Sequence, residues 1–282
     1  MTNVYKAWGI AIASSFEFDW PQIATTPRLH FQYGDVPTTL PVIHRATDTD
    51  RVGQLVIAAS QGVVTWNWRE HSAAIQGQHL TYNGAADPTT YLERVVLPTW
   101  LMLSDPHPVG FHAAAVQSLR GDIFVLIGPS GVGKSSSALE LQRFDFAVLC
   151  DDVAIVDENQ VVQAPSARVR GASAHEEDFA GSGKRRLRLP DAPEPGRLAA
   201  FVALSRGAPS WGRLEGTHAF QALAGARFDF TDWDPTTRRT QFEHVAELAR
   251  SVPVYAFTFA SDSSNRPSHA AALAQVLLES VS

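Results

Sequence analysis

The sequence predicts an α/β domain preceded by a smaller β-rich domain, and three observations support this. The N-terminal third carries short apolar and β-branched runs bounded by Pro, Gly, Asp or Ser. From Gly110 onward strand-like and helix-like runs are mixed, the pattern of layered α/β folds. Within that part a glycine-rich loop, Gly128-Pro-Ser-Gly-Val-Gly-Lys-Ser135, stands between an apolar run and the opening of a helix. A chain of 282 residues fits one or two domains. The turn Ser104-Asp-Pro-His-Pro108 marks the boundary, giving domains 1–106 and 107–282.

In the first domain, strands are expected over Tyr5–Ser14, Leu29–Tyr33, Gln54–Ala59 and Gly62–Trp68. Trp66 and Trp68 are two apart, so a strand puts them on one face, where packing is the ordinary use and peptide binding the rarer one. A helix is expected over Asp87–Ser104. Asp87 caps it, Pro88 sits in the first turn, and Pro98 calls for a kink or an early stop. In the second domain the expected strands are Ala113–Gln117, Ile123–Ile127, Phe146–Cys150, Val153–Val156, Ala199–Leu204 and Val254–Phe259. Helices are expected over Lys134–Arg143 and Ser268–Leu278.

Composition narrows the chemistry. Hydrophobic residues make 45% of the chain and charged residues 18%, an ordinary globular mixture. The net charge of −6 offers no whole-protein basic footprint, so nucleic acid is not an expected partner. The single cysteine, Cys150, excludes an internal disulfide, and no Cys/His spacing suits zinc. It is expected to lie buried and unreactive beneath the acidic pair that follows it. No apolar run reaches the roughly 20 residues of a membrane span. Met1–Phe16 reads as a strand and not a leader, so a cytoplasmic location is expected.

The glycine-rich loop matches G-x-x-x-x-G-K-[ST] at every fixed position and has the strand-before, helix-after context that the motif requires. Glycines let the backbone turn successive N–H groups toward phosphate oxygens, and the helix N-terminus adds a favourable dipole. The nucleotide-binding set is Gly128, Pro129, Ser130, Gly131, Val132, Gly133, Lys134, Ser135 and Ser136. Lys134 brings a compact positive charge to the β- and γ-phosphates, and the Ser135 hydroxyl suits Mg²⁺. ATP and Mg²⁺ are therefore the expected cofactors.

Asp151 and Asp152 end the strand Phe146–Cys150, and one helix, a turn and that strand separate them from Lys134. This spacing allows the pair to return beside the loop, one carboxylate serving Mg²⁺ and the other accepting a proton from an attacking hydroxyl. A solvated strand end is the bland alternative. His112, before the Ala113–Val116 run, faces the phosphates or orients an aspartate if that strand pairs with Ile123–Ile127; otherwise it is structural. Gly181-Ser-Gly-Lys-Arg-Arg-Leu-Arg188 is a glycine-hinged basic segment. It suits closure over phosphates or an anionic acceptor, or else a solvated loop. Arg238-Arg239 reads as a solvated face.

Three stretches, Phe111-His-Ala-Ala-Ala-Val116, Gly128–Ser135 and Cys150-Asp-Asp-Val153, together resemble the catalytic domain of the HPr kinase/phosphorylase family. That family's fold is related to phosphoenolpyruvate carboxykinase, and its aspartate pair also follows soon after the loop lysine. The resemblance implies a P-loop kinase in which Lys134 and the loop amides hold phosphates. Ser135 and one of the aspartates, Asp152 in our assignment, serve the metal. The remaining carboxylate of the pair acts as base, with His112 close by. Lys184 and Arg185 match a Lys-Arg element of the related kinases, and the family's oligomeric habit implies self-association.

The N-terminal stretch Val4–Ser15, with Gly34-Asp-Val-Pro37, is similar to the HPr-kinase-related proteins of lasso-peptide biosynthesis clusters. The implied acceptor is the C-terminal serine of a precursor peptide. The sequence departs from the family downstream: where Glu-x-Arg-Gly is expected, Arg168-Val-Arg-Gly171 stands. A small-molecule kinase and a nucleotide-sensing regulatory module are the competing readings.

Overall fold

The protein is described in a computed structural model that covers residues 2–18, 20, 22–47, 54–60, 62–163, 168–171, 185–188, 197–228, 235–260 and 266–280. The chain divides into two compact units, Met1–Asp105 with Asp229–Arg238, and Pro106–Phe228 with Arg239–Ser282.

The first unit is an eight-stranded sheet. Its strands are β1 (Asn3–Ala7), β2 (Ile10–Ser14), β3 (Leu29–Tyr33), β4 (Val42–Thr47), β5 (Gln54–Ser60), β6 (Val63–Trp68), β7 (His71–Gln76) and β8 (His79–Asn83), in the order β1-β2-β3-β8-β7-β6-β5-β4. The expected single strand Tyr5–Ser14 is two. Trp8 and Gly9 hold φ of 54° and 70°, a pair of left-handed residues that closes a tight hairpin between β1 and β2.

The expected Asp87–Ser104 helix forms in three registers: α1 (Thr89–Tyr91), a π-helical turn Leu92–Val96, and α2 (Leu97–Ser104). Asp87 accepts the N–H of Thr89 at 2.8 Å. Pro98 does not stop the helix. It has no N–H for the carbonyl of Glu93, five residues back, and the indole of Trp8 donates to that carbonyl instead, at 2.8 Å. Trp66 is fully buried and donates to the Thr99 hydroxyl at 2.5 Å, while Trp68 stacks on Tyr91. Both indoles are packing between sheet and helix.

The second unit is built on a six-stranded sheet ordered β12-β10-β11-β17-β19-β18. A small sheet orders β14-β13-β9, and β15 pairs with β16. These strands are β9 (Val109–Phe111), β10 (Ala113–Ser118), β11 (Ile123–Ile127), β12 (Phe146–Cys150), β13 (Ala154–Val156), β14 (Val162–Gln163), β15 (Arg168–Gly171), β16 (Arg185–Arg188), β17 (Leu198–Arg206), β18 (Ser210–Leu214) and β19 (Val254–Phe259). The helices are α3 (Lys134–Leu141), α4 (Gly216–Ala226), α5 (Pro235–Ser251) and α6 (Arg266–Glu279).

Alternation along β11 explains the layering. Ile123, Val125 and Ile127 join a core with Leu223 of α4 and Val245 of α5. Phe124 and Leu126 join another with Ala138 of α3 and Leu273 of α6. A strand buried on both faces reads as a continuous apolar run, as this one does. The parallel strands β11, β17 and β19 end at one edge, where an α/β sheet presents its loops to ligands. Arg238 and Arg239 are exposed on α5, and Arg239 pairs with Glu243 one turn on.

Candidate active site

The loop after β11 has the form its sequence requires. At Gly128 φ is +143°, and a Cβ there would stand 2.6 Å from the carbonyl oxygen of Leu204 on the neighbouring strand β17. Only glycine allows that approach. Gly133, at φ +120°, hands the chain to α3, and its carbonyl accepts the N–H of Ser137 at 2.8 Å as the helix begins. Lys134 is 6% exposed and donates to the carbonyls of Gly128 at 2.8 Å and Pro129 at 3.2 Å, so its ammonium is folded back under the loop. Val132 packs into the α3–α6 core and anchors the loop from below.

Sheet topology brings the acidic pair and the histidine together. The chain β9–His112–β10 runs antiparallel to β12–Asp151–Asp152–β13. Each passes from the small sheet to the large one, or back, at these residues. The crossing leaves a gap in the ladder between the pairs Phe111↔Ala154 and Ala115↔Cys150, and His112, Asp151 and Asp152 lie within it. Asp152 makes the crossing with φ +79°, a left-handed conformation uncommon for a residue with a side chain and costing about 1–3 kcal/mol. The kink turns its carbonyl toward β10, where it accepts the N–H of Ala113 at 3.2 Å and the Nδ1–H of His112 at 3.0 Å.

Because a carbonyl can only accept, this bond puts the proton of the neutral imidazole on Nδ1 and leaves Nε2 with the lone pair. Burial first, and the nearby Lys134 charge second, hold His112 below its ordinary range, against an opposite pull from Asp152 and Asp151. The imidazole is accordingly neutral near pH 7.

One contact ties the two motifs together: the Ser135 hydroxyl donates to Asp151 Oδ1 at 2.7 Å. Lys134, Ser135, Asp151, Asp152 and His112 therefore converge on one end of the sheet. The carboxylate bonded to Ser135 is Asp151. Asp152 is held through its backbone at His112. A hydroxyl and a carboxylate in contact are the hard oxygen donors that Mg²⁺ prefers, and Mg²⁺ fills its remaining positions with water and phosphate oxygens. Among the described residues no group of three or more His, Cys, Asp or Glu gathers as a self-sufficient metal cage.

Cys150 is fully buried next to the pair, and burial pushes its thiol far above the ordinary range. Lys184 lies outside the described residues, as does the side chain of Arg185, whose backbone opens β16 opposite Gly171. The backbone of Arg168 opens β15.

Sequence reasoning missed Arg206. This residue ends β17 and donates from Nη2 to Gly131 O at 3.0 Å and from Nε to Val132 O at 3.5 Å. No motif flags a single arginine at a strand end, and only the adjacency of β17 to β11 reveals it.

No family model matches the chain, and no curated protein matches it. Among solved structures it is similar to the Hpr(Ser) kinase/phosphatase from Coxiella burnetii at 12% identity, over 60% of this chain and 97% of that one, with a TM-score of 0.36. At that score the similarity carries no argument about the site. No helix among the described residues is long and apolar enough to cross a membrane.

Proposed function

We propose that the protein is an ATP-dependent kinase that transfers the γ-phosphoryl group to a hydroxyl, with the C-terminal serine of a precursor peptide as acceptor. The observation that carries the phosphotransferase reading is the 2.7 Å bond from Ser135 to Asp151, which joins a phosphate-binding loop to an acidic strand end. The serine acceptor rests on the sequence resemblance.

In this reading the loop amides and the N-terminus of α3 hold the β- and γ-phosphates, and Lys134 leaves its backbone carbonyls to meet them. Ser135 and Asp151 hold the metal; this departs from the assignment of Asp152 by resemblance, because Asp151 is the carboxylate bonded to Ser135. A Mg²⁺ ion held by these two side chains would supply positive charge to offset the charge on the transferring phosphoryl group. Asp152 is the base: its strained backbone, tied to β10 and His112, fixes where its side chain starts. His112 orients Asp152 through its carbonyl and keeps Nε2 as a neutral acceptor.

The test is the intact mass of a precursor peptide ending in serine after incubation with the protein and Mg-ATP. A phosphoryl increment is expected that disappears when the terminal serine is replaced by alanine. Lys134→Ala and Asp151→Asn should each slow transfer by about a hundredfold or more. ATP bound with no increment on the peptide would sink the peptide acceptor, and no ATP binding at all would sink the kinase reading.

A further inference from the structure

The tip of the phosphate loop has a support that the loop motif does not contain. Gly131 and Val132 are consecutive, and both of their carbonyls are held by one guanidinium, that of Arg206. The side chain comes from β17, which runs parallel to β11 with Ala203 opposite Ile127, so its end lies alongside the loop. The residues on either side of Arg206 are held to β19. The Ser205 hydroxyl bonds that of Thr258 at 2.8 Å, and the Gly207 N–H donates to the Phe259 carbonyl at 3.0 Å.

Peptide geometry gives this contact a consequence. In a trans peptide the carbonyl and the following N–H point in opposite directions. Holding the carbonyls of Gly131 and Val132 toward Arg206 turns the N–H groups of Val132 and Gly133 away from it, into the loop. The Val132 N–H already points inward, reaching the Pro129 carbonyl at 3.3 Å. Gly131 and Gly133, at φ +77° and +120°, are the residues whose backbone is freest to rotate, so an unsupported loop has much orientational freedom to lose on binding an anion. A planar fork of donors meets two adjacent carbonyls together, which an ammonium on a flexible stem does less well.

We propose that Arg206 is a positioning residue: it clamps the tip of the phosphate loop so that its amides are preset for an anion, phosphate or pyrophosphate, before any ligand arrives. The proposal deepens the nucleotide reading, but its first test does not depend on it.

That test is amide hydrogen exchange over residues 128–135 in the unliganded protein, for wild type, Arg206→Ala and Arg206→Lys, alongside pyrophosphate affinity by calorimetry. Arg206→Ala is expected to speed exchange in the loop about tenfold and to weaken pyrophosphate by about tenfold, with Arg206→Lys between. Exchange in β11 and α3 should stay unchanged, which a general loss of stability would not allow. Loop exchange and pyrophosphate affinity within twofold of wild type in Arg206→Ala would overturn the clamp, and full protection by lysine would overturn the two-carbonyl fork. A wild type that binds neither pyrophosphate nor ATP would sink the nucleotide reading and the presetting for an anion together, whereas a loop that binds pyrophosphate independently of Arg206 would sink the clamp alone.

Discussion

At the scale of single residues, two glycines of the same loop are expected to behave differently. A Cβ on Gly128 meets the Leu204 carbonyl oxygen at 2.6 Å, a backbone atom that moves only if β17 moves. A Cβ on Gly131 meets nothing within 4 Å, and only its φ of +77° resists substitution. Gly131→Ala should therefore cost about 1–2 kcal/mol, the ordinary penalty of a left-handed residue. Gly128→Ala should cost more, about 3 kcal/mol, because strain and a backbone clash add. Denaturant unfolding of the two variants measures the difference, and equal costs would show that the strand relaxes around position 128. The same residues show how far the sequence could be read. The tight turn at Gly128 and the helix opening at Lys134 and Ser135 were legible because the loop is local, set between an apolar strand and a helix. The roles of Asp151 and Asp152 were not separable. What distinguishes them is the left-handed backbone of Asp152 and the reach of Ser135 to its neighbour, and neither leaves a mark in the order of letters.

At the scale of elements, the legible strands were short apolar or β-branched runs, from the fully buried Ile123–Ile127 to Leu29–Tyr33, which is buried only at Leu29 and Phe31. Ile123–Ile127, Phe146–Cys150 and Val254–Phe259 were placed with the bounds that the structure gives them. Others were not legible. The polar start of α5, Pro235-Thr-Thr-Arg-Arg239, offers no apolar stripe, because its buried residues, Gln241, Val245 and Leu248, come later. In β7, His71-Ser-Ala-Ala-Ile-Gln76, small residues blur the alternation.

That strand carries a titratable group in the seam between sheet and helix. His71 is 5% exposed, stacks on Tyr91 and meets the Tyr82 hydroxyl at 2.6 Å through Nδ1. Burial lowers its pKa from the ordinary 6.5, against a weaker upward pull from Glu70. The unfolded chain therefore takes up this proton before the folded one does. The contribution to stability is complete above pH 6.5 and is lost as pH falls below it toward the lowered folded value. Thermal midpoints followed from pH 7.5 to 5 should decline in wild type. In His71→Gln the decline should be shallower, whatever the starting stability of that variant. Parallel curves would assign the acid sensitivity to other groups.

At the scale of the whole molecule, the mixed α/β class was legible from the alternation of runs, but the order of strands was not. The sequence gives no sign that β10 lies between β12 and β11, or that β17 inserts between β11 and β19. Such pairings are long-range and rest on side-chain fit that no local pattern encodes. Yet they assemble the site: β10 against β12 brings His112 to Asp152, and β17 against β11 brings Arg206 to the loop. The proposed phosphate site is thus coupled to the packing of the second unit, and Cys150 can report on that coupling. Its side chain is fully buried at the end of β12, one residue before the carboxylate that Ser135 holds, and burial keeps the thiol protonated. A thiol reagent at pH 8 should therefore label the native protein only through opening of this unit. A ligand that binds the loop in the folded state stabilises it by RT ln(1 + [L]/Kd), about 2.7 kcal/mol at a hundredfold excess over Kd. If opening is the global unfolding of the unit, pyrophosphate at that excess should slow labelling of Cys150 by about a hundredfold. Labelling that ignores pyrophosphate, while calorimetry shows it bound, would mean that β12 opens locally, without unfolding the loop Gly128–Ser135 that holds the ligand.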